Sequence, residues 1–545
     1  MKKFILLCTF CWGMLVPGAR ACTSFLAGRN ATIDGSTFIT YAADSHTLYG
    51  ALKFIPAARH PKNSTMEIRE WDTNKLLGHI PQVEYTYKVV GNMNEHQLSI
   101  TESTWGGRPE LVDTTGIIDY GSLMYIALQR AKTAREAITV MTDLVSEYGY
   151  YSSGESFSIA DPEEVWIMEM IGKGPQNQGA VWVAVRIPDD CIAVHANQSR
   201  IHKFPLDDKE NCLYSPDVIS FAREQGYFNG LNKDFSFADA YAPADFGALR
   251  GCEARVWSFY NRFNSSMGKY LSYLNGKSKE YLPLYIKPDK KLSVQDMKDA
   301  MRDHFEGTPF DMTQDVGAGP FKCPYRFRPM TFKVDSVEYT NERAVATQQT
   351  AFTLVAQMRS WLPNAIGGVL WFGVDDTNTC VYVPLYACLN EVPECYSELN
   401  GSMYDLSWTS AFWIHNWVAN MAYSRYDQMI EDIRPVQKDI ETTFNVQQPV
   451  IEKVANDLYR NDPVAAIRFL NAYSVAQAQQ TTVQWKKLGE FLLVKYLDGN
   501  RKKEKGGHFL ENGYGLPADP DFPGYSEEYY RAVAKDAGDR LKVAF

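Results

Sequence analysis

Short apolar or β-branched runs separated by turn residues follow the N-terminal segment of the chain. "TSFLAG" and "TFITYA" are two such runs, and Asp34-Gly35 between them is a hairpin turn signal. The segment "YKVVGNMNEHQLSITEST" repeats this pattern. The beginning of the chain after residue 22 is therefore predicted to form paired strands.

Apolar residues then recur at helical spacing in two neighbouring segments. Leu123, Ile126 and Ala127 mark the first segment. The second segment ends at Gly149, and its apolar positions are Ala134, Ala137, Ile138, Met141, Leu144, Val145 and Tyr148. Two helices are expected after the opening strands.

Strand patterns return after the two helices. "SFSIADPEEVWIMEMI" and "AVWVAVRIPDDCIAVHAN" each read as two strands around an Asp-Pro or Pro-Asp-Asp turn, and "GGVLWFGVDDTNTCVYVPLY" reads as a hairpin. Strands, a helical pair and strands again suggest sheets with helices packed on their outer faces. The predicted fold class is α+β.

The pattern changes to long helical segments from about Tyr404 onward. They include "PVQKDIETTFNVQQPVIEKVANDLYR" and "AQQTTVQWKKLGEFLLVKYLDG". We therefore predict a main domain over residues 22–403 and a helical C-terminal subdomain over residues 404–545, with a boundary uncertain by about 20 residues.

The first 21 residues have the three regions of a secretory signal peptide. Lys2 and Lys3 precede the apolar run "FILLCTFCWGMLV", and Ala19 and Ala21 occupy the small-residue positions of a cleavage site. The predicted cut makes Cys22 the first residue of the mature chain. A lipoprotein signal is the first alternative. A lipobox has Leu three residues before the cysteine and a small uncharged residue directly after that Leu, whereas this chain has Ala19 and Arg20 at these two positions. The second alternative is a cut elsewhere, with Cys22 an ordinary strand residue.

Composition and charge indicate a soluble, exported globular protein. The net charge of -10 becomes -13 when the three cationic residues of the signal leave, which argues against a nucleic acid or an anionic membrane as partner. No second long apolar stretch follows the signal, so no membrane insertion is expected after its removal. The oligomeric state stays open, and a homo-oligomer is one alternative.

Eight of the ten cysteines remain after the signal is removed. If Cys22 is free, an odd number is left, and spacing alone fixes no disulfide connectivity, although Cys380, Cys388 and Cys395 are close enough to pair locally. The mature chain has no Cys-x-x-Cys pair, no His-Glu-x-x-His and no P-loop. No metal and no cofactor are predicted.

An N-terminal cysteine carries both a nucleophile and a base. Its thiol and α-amine have unperturbed pKa values near ~8.5 and ~7.8, so the amine can accept the thiol proton. Such a residue needs a group that orients the amine and thiol, donors for the tetrahedral oxyanion, and contacts that hold the substrate.

Seven segments resemble the dipeptidase A family of cysteine peptidases, in the N-terminal-nucleophile hydrolase superfamily. They recur in order from Cys22 to about Tyr386, and they are "CTSFLAGRNATIDGSTFITYAADSH", "NMNEHQLSITESTWGG", "AKTAREAITVMTDLVSEYG", "GESFSIADPEEVWIMEM", "AVWVAVRIPDDCIAVHANQSRI", "GCEARVWSFYNRF" and "DHFEGTPFDMTQDVGAGP". The resemblance implies an αββα sandwich, which more distantly similar penicillin V acylases and bile salt hydrolases share.

The resemblance also implies roles for four residues. Cys22 matches the nucleophile, Asp44 the carboxylate that holds its amine and thiol, Asn197 an oxyanion-hole amide, and Arg255 an arginine near the nucleophile. The structural alternatives are a buried strand cysteine, a turn aspartate, a strand-end asparagine and an arginine in a structural ion pair. His195, two residues before Asn197, should point to the same strand face if the strand extends that far.

The chain departs from the family pattern at Tyr41, where many relatives have Arg. A neutral Tyr41 cannot give a thiolate the same charge support, and it is a candidate hydroxyl donor instead. Glu102 and Thr104 fall where related acylases have a polar pocket residue, and Glu102 is a candidate receptor for a peptide's ammonium group. A solvated loop before Trp105 is the alternative for both.

The combined interpretation is an exported cysteine dipeptidase acting on dipeptides or short peptides, in the periplasm or outside the cell. A linear-amide acylase on the same scaffold is the first alternative. A non-catalytic surface binding protein is the second, and a free thiol at the mature terminus argues against it.

Overall fold

The computed structural model describes residues 22–543, and the predicted signal peptide at residues 1–21 lies outside the described residues. The strands of this range are β1 Ser24–Ala27, β2 Thr37–Asp44, β3 Phe54–Ile55, β4 Ala58–Arg59, β5 Thr65–Arg69, β6 Leu76–Pro81, β7 Tyr85–Thr86, β8 Val89–Val90, β9 Met93–Asn94, β10 Ser99–Trp105, β11 Gly154–Ala160, β12 Val165–Gly172, β13 Ala180–Arg186, β14 Ile192–His195, β15 Cys212–Tyr214, β16 Tyr285–Ile286, β17 Thr331–Val334, β18 Val337–Thr340, β19 Thr350–Met358, β20 Val369–Val374, β21 Val383–Tyr386, β22 Glu504–Lys505 and β23 His508–Phe509. The helices are α1 Tyr120–Arg130, α2 Ala134–Tyr148, α3 Val218–Glu224, α4 Phe237–Tyr241, α5 Phe246–Ala248, α6 Ala254–Phe263, α7 Leu271–Leu274, α8 Val294–Met301, α9 Asn364–Gly367, α10 Ala411–Ser424, α11 Tyr426–Asn461, α12 Pro463–Lys495 and α13 Glu527–Ala537.

Fifteen of the strands form two large antiparallel sheets. The seven-stranded sheet has the order β16-β14-β1-β2-β19-β20-β21, and the eight-stranded sheet has the order β15-β13-β12-β11-β10-β9-β8-β3. Strands β1 and β2 of the first sheet contact β10 and β11 of the second, so the two sheets face each other. The mixed α and β class predicted from the sequence is confirmed.

Three predicted strand pairs are present as hairpins. The β1–β2 pair brings Leu26 opposite Ile39 and Ala27 opposite Phe38, across the turn that contains Asp34-Gly35. Strands β11 and β12 pair from Glu155 opposite Met170 to Ala160 opposite Val165, and β20 pairs with β21. These pairs were predictable because turn residues and alternating runs lie next to each other in the sequence.

The segment "AVWVAVRIPDDCIAVHAN" contains two strands, as predicted, but they belong to different sheets. Strand β13 pairs with β12 in the eight-stranded sheet, whereas β14 pairs with β1, with His195 opposite Ser24. The turn between them therefore carries the chain from one sheet to the other. As a result, the residues that follow β14 lie beside Cys22.

Helices α1 and α2 cover the outer face of the eight-stranded sheet. Asp119 caps α1 and Thr133 caps α2 by accepting backbone N–H groups, and α2 ends at Gly149, whose φ is 75°. The apolar sides of both helices form one cluster with residues of β10, β11 and β12. Both predicted helices are confirmed, and their burial holds the sheet that carries Glu102 and Thr104.

The long helices near the C-terminus pack against the seven-stranded sheet. Helix α12 contacts β21, α10 and α11, and its first turn is capped by Asp462 before Pro463. Apolar residues of α10, α11 and α12 belong to the same cluster as those of the seven-stranded sheet. The helical character of this region is confirmed, and the domain boundary near residue 404 stays a prediction.

All eight cysteines within residues 22–543 are free thiols, so Cys380, Cys388 and Cys395 are not paired with one another. Among the described helices, none combines the length and the apolar character that a membrane crossing requires.

Candidate active site

Cys22 lies two residues before β1, beside Glu102 of the facing sheet, and only 4% of it is exposed. Its position is fixed by the sheet, because the Ala42 N–H of β2 donates to the Thr23 carbonyl oxygen at 3.0 Å. The Cys22 Sγ lies 3.4 Å from Glu102 Oε1 and 3.9 Å from the Tyr41 hydroxyl. The Tyr41 hydroxyl in turn donates to Glu102. The thiol is thus held between a carboxylate and a phenol.

The surroundings of the Cys22 thiol favour its protonated form. Burial raises its pKa, and the negative charges of Glu102 and Asp44 raise it further, while the Asp44 backbone N–H acts in the opposite direction. The pKa of the Tyr41 hydroxyl is also raised, first by burial. A nucleophilic attack by this thiol therefore requires a base that takes its proton.

Glu102→Gln is expected to move the pH profile of Cys22 alkylation to lower pH by about one unit or more. The negative charge of Glu102 disfavours the thiolate, so its removal lowers the pKa of the thiol and increases the thiolate fraction at a given pH. Iodoacetamide labelling followed by mass spectrometry of the Cys22 peptide measures this, with the exposed Glu84→Gln as control. An unchanged profile would show that Glu102 does not act on the thiol.

Asp44 ends β2, is almost completely buried, and forms an ion pair with Arg343. Thr350 Oγ1 donates to Asp44 Oδ1 at 2.6 Å. Burial raises the pKa of Asp44, and Arg343 and Thr350 oppose that effect. Arg343 was not predicted, because it lies about 300 residues from Asp44 in a segment without a recognisable motif. The structure therefore adds Arg343 and Thr350 to the candidate site.

Arg255 ties Cys22 to the end of β14. Its Nη1 donates to the Cys22 carbonyl oxygen at 2.8 Å and to Thr23 Oγ1 at 2.7 Å, and its Nη2 donates to the Ala196 carbonyl oxygen at 3.0 Å and to Asn197 Oδ1 at 2.9 Å. Burial, then the charge of Arg343, lowers the pKa of Arg255 to about 10, so it remains a cation at neutral pH.

A π-helical turn, Leu249–Glu253, precedes helix α6 and positions Arg255 beside Cys22 and Asn197. Within this turn the Gly251 carbonyl oxygen accepts a hydrogen bond from Arg255 Nε at 2.7 Å. No sequence pattern indicates the π turn, although "GCEARVW" contributes to the family resemblance.

Asn197 lies just beyond β14 in the left-handed conformation, with a φ of 60°, which asparagine adopts more readily than most residues. Its Nδ2 donates to the Thr104 carbonyl oxygen at 2.6 Å, and its backbone N–H donates to Ser103 Oγ at 3.2 Å. The strand stops at His195, so it does not extend as far as the shared face of His195 and Asn197 would require. The positive φ of Asn197 turns the chain just after the strand ends.

His195 connects the two sheets from within the core. Its Nδ1 lies 2.6 Å from Ser103 Oγ and its Nε2 lies 2.7 Å from Ser158 Oγ. Burial lowers the pKa of His195 to about 3, so the ring is neutral. Because Ser103 also accepts the Asn197 N–H, His195 positions the turn that holds Asn197 and does not act on the thiol.

A second buried carboxyl group lies beside Glu102. Thr104 on β10 pairs with Glu155 on β11, and Glu102 lies on the same face as Thr104, diagonal to Glu155. Glu155 is 0% exposed, and neither of its carboxyl oxygens accepts a hydrogen bond of normal geometry from the described residues. Burial and the charge of Glu102 raise its pKa. The only sequence signal was an acidic residue inside an otherwise buried strand.

The structure brings all seven predicted site residues into one cluster around the β1–β2 pair and β10. One chain of contacts runs from Cys22 to Glu102 and Tyr41, and a second runs from Cys22 through Arg255 and Asn197 to Thr104. Asp44 acts on the Cys22 thiol through its backbone N–H and its charge. Glu102 and Thr104 are strand residues, and Glu102 is buried, so the alternative of a solvated loop is wrong for them. Within residues 22–543 there is no group of three or more His, Cys, Asp and Glu residues that could hold a metal ion.

Comparisons with known proteins point to one family. A family model described as peptidase family C69 matches residues 21–439. A protein named "Probable dipeptidase" from Latilactobacillus sakei is 27% identical over 425 residues, which cover 74% of this chain and 82% of that protein. A "Probable dipeptidase" from Salmonella dublin is 27% identical over 408 residues, 71% of this chain and 85% of its own. A "Probable dipeptidase B" from Streptococcus pyogenes serotype M1 is 23% identical over 512 residues, 88% of this chain and 94% of its own.

Proposed function

The chain belongs to peptidase family C69, the dipeptidase A family of cysteine peptidases, and is a peptide hydrolase; on that premise we propose that it is an exported dipeptidase whose nucleophile is the Cys22 thiol. The observation that carries the proposal is the thiol itself. It is buried beside Tyr41 and Glu102, while Arg255 holds the Cys22 carbonyl oxygen. A thiol held in this way is suited to attack a carbonyl group in a water-poor site.

We further propose that the two facing sheets with outer helices are the αββα sandwich of N-terminal-nucleophile hydrolases. In support, Cys22 lies two residues before β1, an interior strand of the seven-stranded sheet, and helices α1 and α2 cover the outer face of the other sheet. The proposal includes cleavage after Ala21 and a periplasmic or extracellular location. Cleavage would give Cys22 the free α-amine that its protonated thiol requires as a base.

The proposed cycle begins when the α-amine of Cys22, oriented by Asp44, accepts the thiol proton. The thiolate attacks the scissile carbonyl carbon, and Asn197 and backbone N–H groups stabilise the oxyanion. Collapse of the intermediate breaks the C–N bond, and the ammonium group of Cys22 protonates the leaving amine. Water then attacks the thioester with the amine as base, which releases the acyl group and restores the thiol.

Glu102 and Glu155 are the proposed receptor for the substrate's N-terminal ammonium group. Both carboxyl groups are buried within two strand positions of each other, and Glu102 lies 3.4 Å from the nucleophile. A dipeptide carries an ammonium group close to its scissile bond. A cation there would neutralise the buried negative charge, which explains why this pocket has two carboxyl groups and no arginine partner among the contacts described above.

N-acetylated dipeptides are expected to lose at least about tenfold in kcat/KM relative to free dipeptides, because acetylation removes a charge-assisted hydrogen bond of roughly 1.5 to 3 kcal/mol. Glu102→Gln should reduce this preference, whereas Glu84→Gln, at an exposed position, should not. Assays of free and N-acetylated dipeptides with the three proteins measure both effects.

The same assays include a penicillin V side-chain amide and a glycine-conjugated bile acid. An acylase would favour an apolar acyl group over a charged amine. Faster cleavage of these substrates, or of the blocked dipeptides, would replace the dipeptidase proposal by the acylase alternative. Hydrolysis of none of the substrates would support a non-catalytic protein.

A further inference from the structure

A pocket opens beside the ion pair of Asp44 and Arg343. Arg343, the ion-pair partner of Asp44, lines this pocket, and Asp44 also acts on the Cys22 thiol. The pocket therefore adjoins the residues around the nucleophile. Its polar lining residues include His46, Arg326, Arg328, Glu342, Arg343 and Gln349.

Most of the charged groups in this pocket already have a partner of opposite charge. The pKa of His46 is lowered by burial and by the charge of Arg328, so His46 is neutral near pH 7. The three ion pairs are Arg326 with Asp315, Glu342 with Arg250, and Arg343 with Asp44.

Arg328 differs from these charged residues because it forms no ion pair with a carboxylate within the described part of the chain. Its Nε donates to Gln349 Oε1 at 2.9 Å. Burial, then the charge of Arg343, lowers the pKa of Arg328, and both guanidinium groups line the same pocket. The pocket therefore has an excess of positive charge. It is suited to a small anion, and a planar guanidinium group matches the geometry of a carboxylate.

We propose that Arg328, with Arg343 beside it, binds the free C-terminal carboxylate of the substrate residue that follows the scissile bond. The inference rests on the proposed function. Only three covalent bonds separate the scissile carbonyl carbon from that carboxylate in a dipeptide, a distance close to the ~3.8 Å spacing of one residue. The carboxylate must therefore lie next to the nucleophile, and the Asp44–Arg343 ion pair puts this pocket there.

The two ends of the site then have opposite charges. Glu102 lies beside the thiol with Glu155 near it on the neighbouring strand, and Arg328 and Arg343 line the pocket that adjoins Asp44. A dipeptide complements both ends at once. A longer peptide would present an uncharged amide to Arg328, so the pocket selects substrates with a single residue after the scissile bond.

The test measures binding and turnover separately. Ala-Ala, Ala-Ala amide and Ala-Glu amide are titrated calorimetrically into Cys22→Ala protein, with and without Arg328→Gln, and kcat/KM is measured for the proteins that keep Cys22. We expect Ala-Ala to bind about tenfold or more tightly than its amide. Arg328→Gln should remove this preference by weakening Ala-Ala alone. The control is Arg223→Gln, an exposed arginine that donates to an amide oxygen of Asn232, and it should keep the preference.

Equal binding of Ala-Ala and its amide would overturn the inference, as would equal weakening of both by Arg328→Gln. Ala-Glu amide keeps a carboxylate on its side chain only. If Ala-Glu amide bound as tightly as Ala-Ala, the pocket would bind a side-chain carboxylate, and the proposal that it binds the C-terminal carboxylate would be wrong. Because binding is measured without Cys22, a protein that prefers Ala-Ala but hydrolyses nothing would contradict the proposed function and uphold the inference.

Discussion

Cys22→Ala is expected to abolish peptide hydrolysis while the thermal midpoint stays within a few degrees of the wild-type value. The thiol is the proposed nucleophile, so its removal leaves no group that can form the thioester. One small side chain just before β1 contributes little to a core of this size, so the fold should persist. Turnover of free dipeptides and thermal unfolding measure the two effects.

Cys252→Ala is the matched control, because the Cys252 Sγ lies 3.4 Å from the Asn197 carbonyl oxygen and belongs to the same region of the fold. It should retain most of the activity. Intact mass spectrometry of the active exported protein should show an unmodified chain that begins with Cys22. Substantial turnover by Cys22→Ala, a lipid adduct, or a start several residues away would contradict the proposed mechanism.

Arg255→Met is expected to lower the free energy of unfolding by about 3 to 5 kcal/mol and kcat by about 100-fold. The substitution leaves the Cys22 and Ala196 carbonyl oxygens and Asn197 Oδ1 without their buried donor. Cys22 and Asn197 lose the side chain that joins them, and a displacement of about 1 Å at a catalytic group can cost a factor of 100. Urea unfolding and steady-state kinetics below the unfolding transition measure these losses.

Arg200→Met separates the loss of stability from the loss of catalysis. Arg200 is as buried as Arg255, at 1% exposed, but it pairs with Glu253 and with the Pro283 carbonyl oxygen and does not contact Cys22. Its loss leaves a buried charge unpaired and should also cost about 3 to 5 kcal/mol. The kcat of the folded protein should fall far less than in Arg255→Met, because Arg200 pairs with Glu253 at the end of the π-helical turn but contacts none of the atoms that Arg255 holds at Cys22 and Asn197. Equal losses of kcat in both variants would show that Arg255 acts through stability alone.

The sequence predicted those parts of the fold whose partners are near in the chain. The β1–β2 hairpin and helix α2 follow from a turn signal and from an apolar period that ends at a glycine. The separation of β13 and β14 into different sheets was not predictable, because the same turn residues can close a hairpin or connect two sheets. Strand pairing of that kind is decided by packing with distant segments.

The candidate site was likewise predictable only in part from the sequence. Cys22, Asp44 and Arg255 were found because their segments resemble a family. Arg343 and Glu155 were missed, since the partner of a buried carboxyl group depends on which distant segment packs against it. Tyr41 was recognised as a departure from the family pattern, and the structure shows its hydroxyl bonded to Glu102 beside the thiol.

The eight free cysteines have a consequence for the chemical durability of the molecule. Burial raises the pKa of every one of them, for example to about 12 for Cys191, Cys212 and Cys388. Oxidants and disulfides react with thiolates, and the thiolate fraction of such groups near neutral pH is very small. The core within residues 22–543 therefore holds no disulfide that needs an oxidant to form or that a reductant could break.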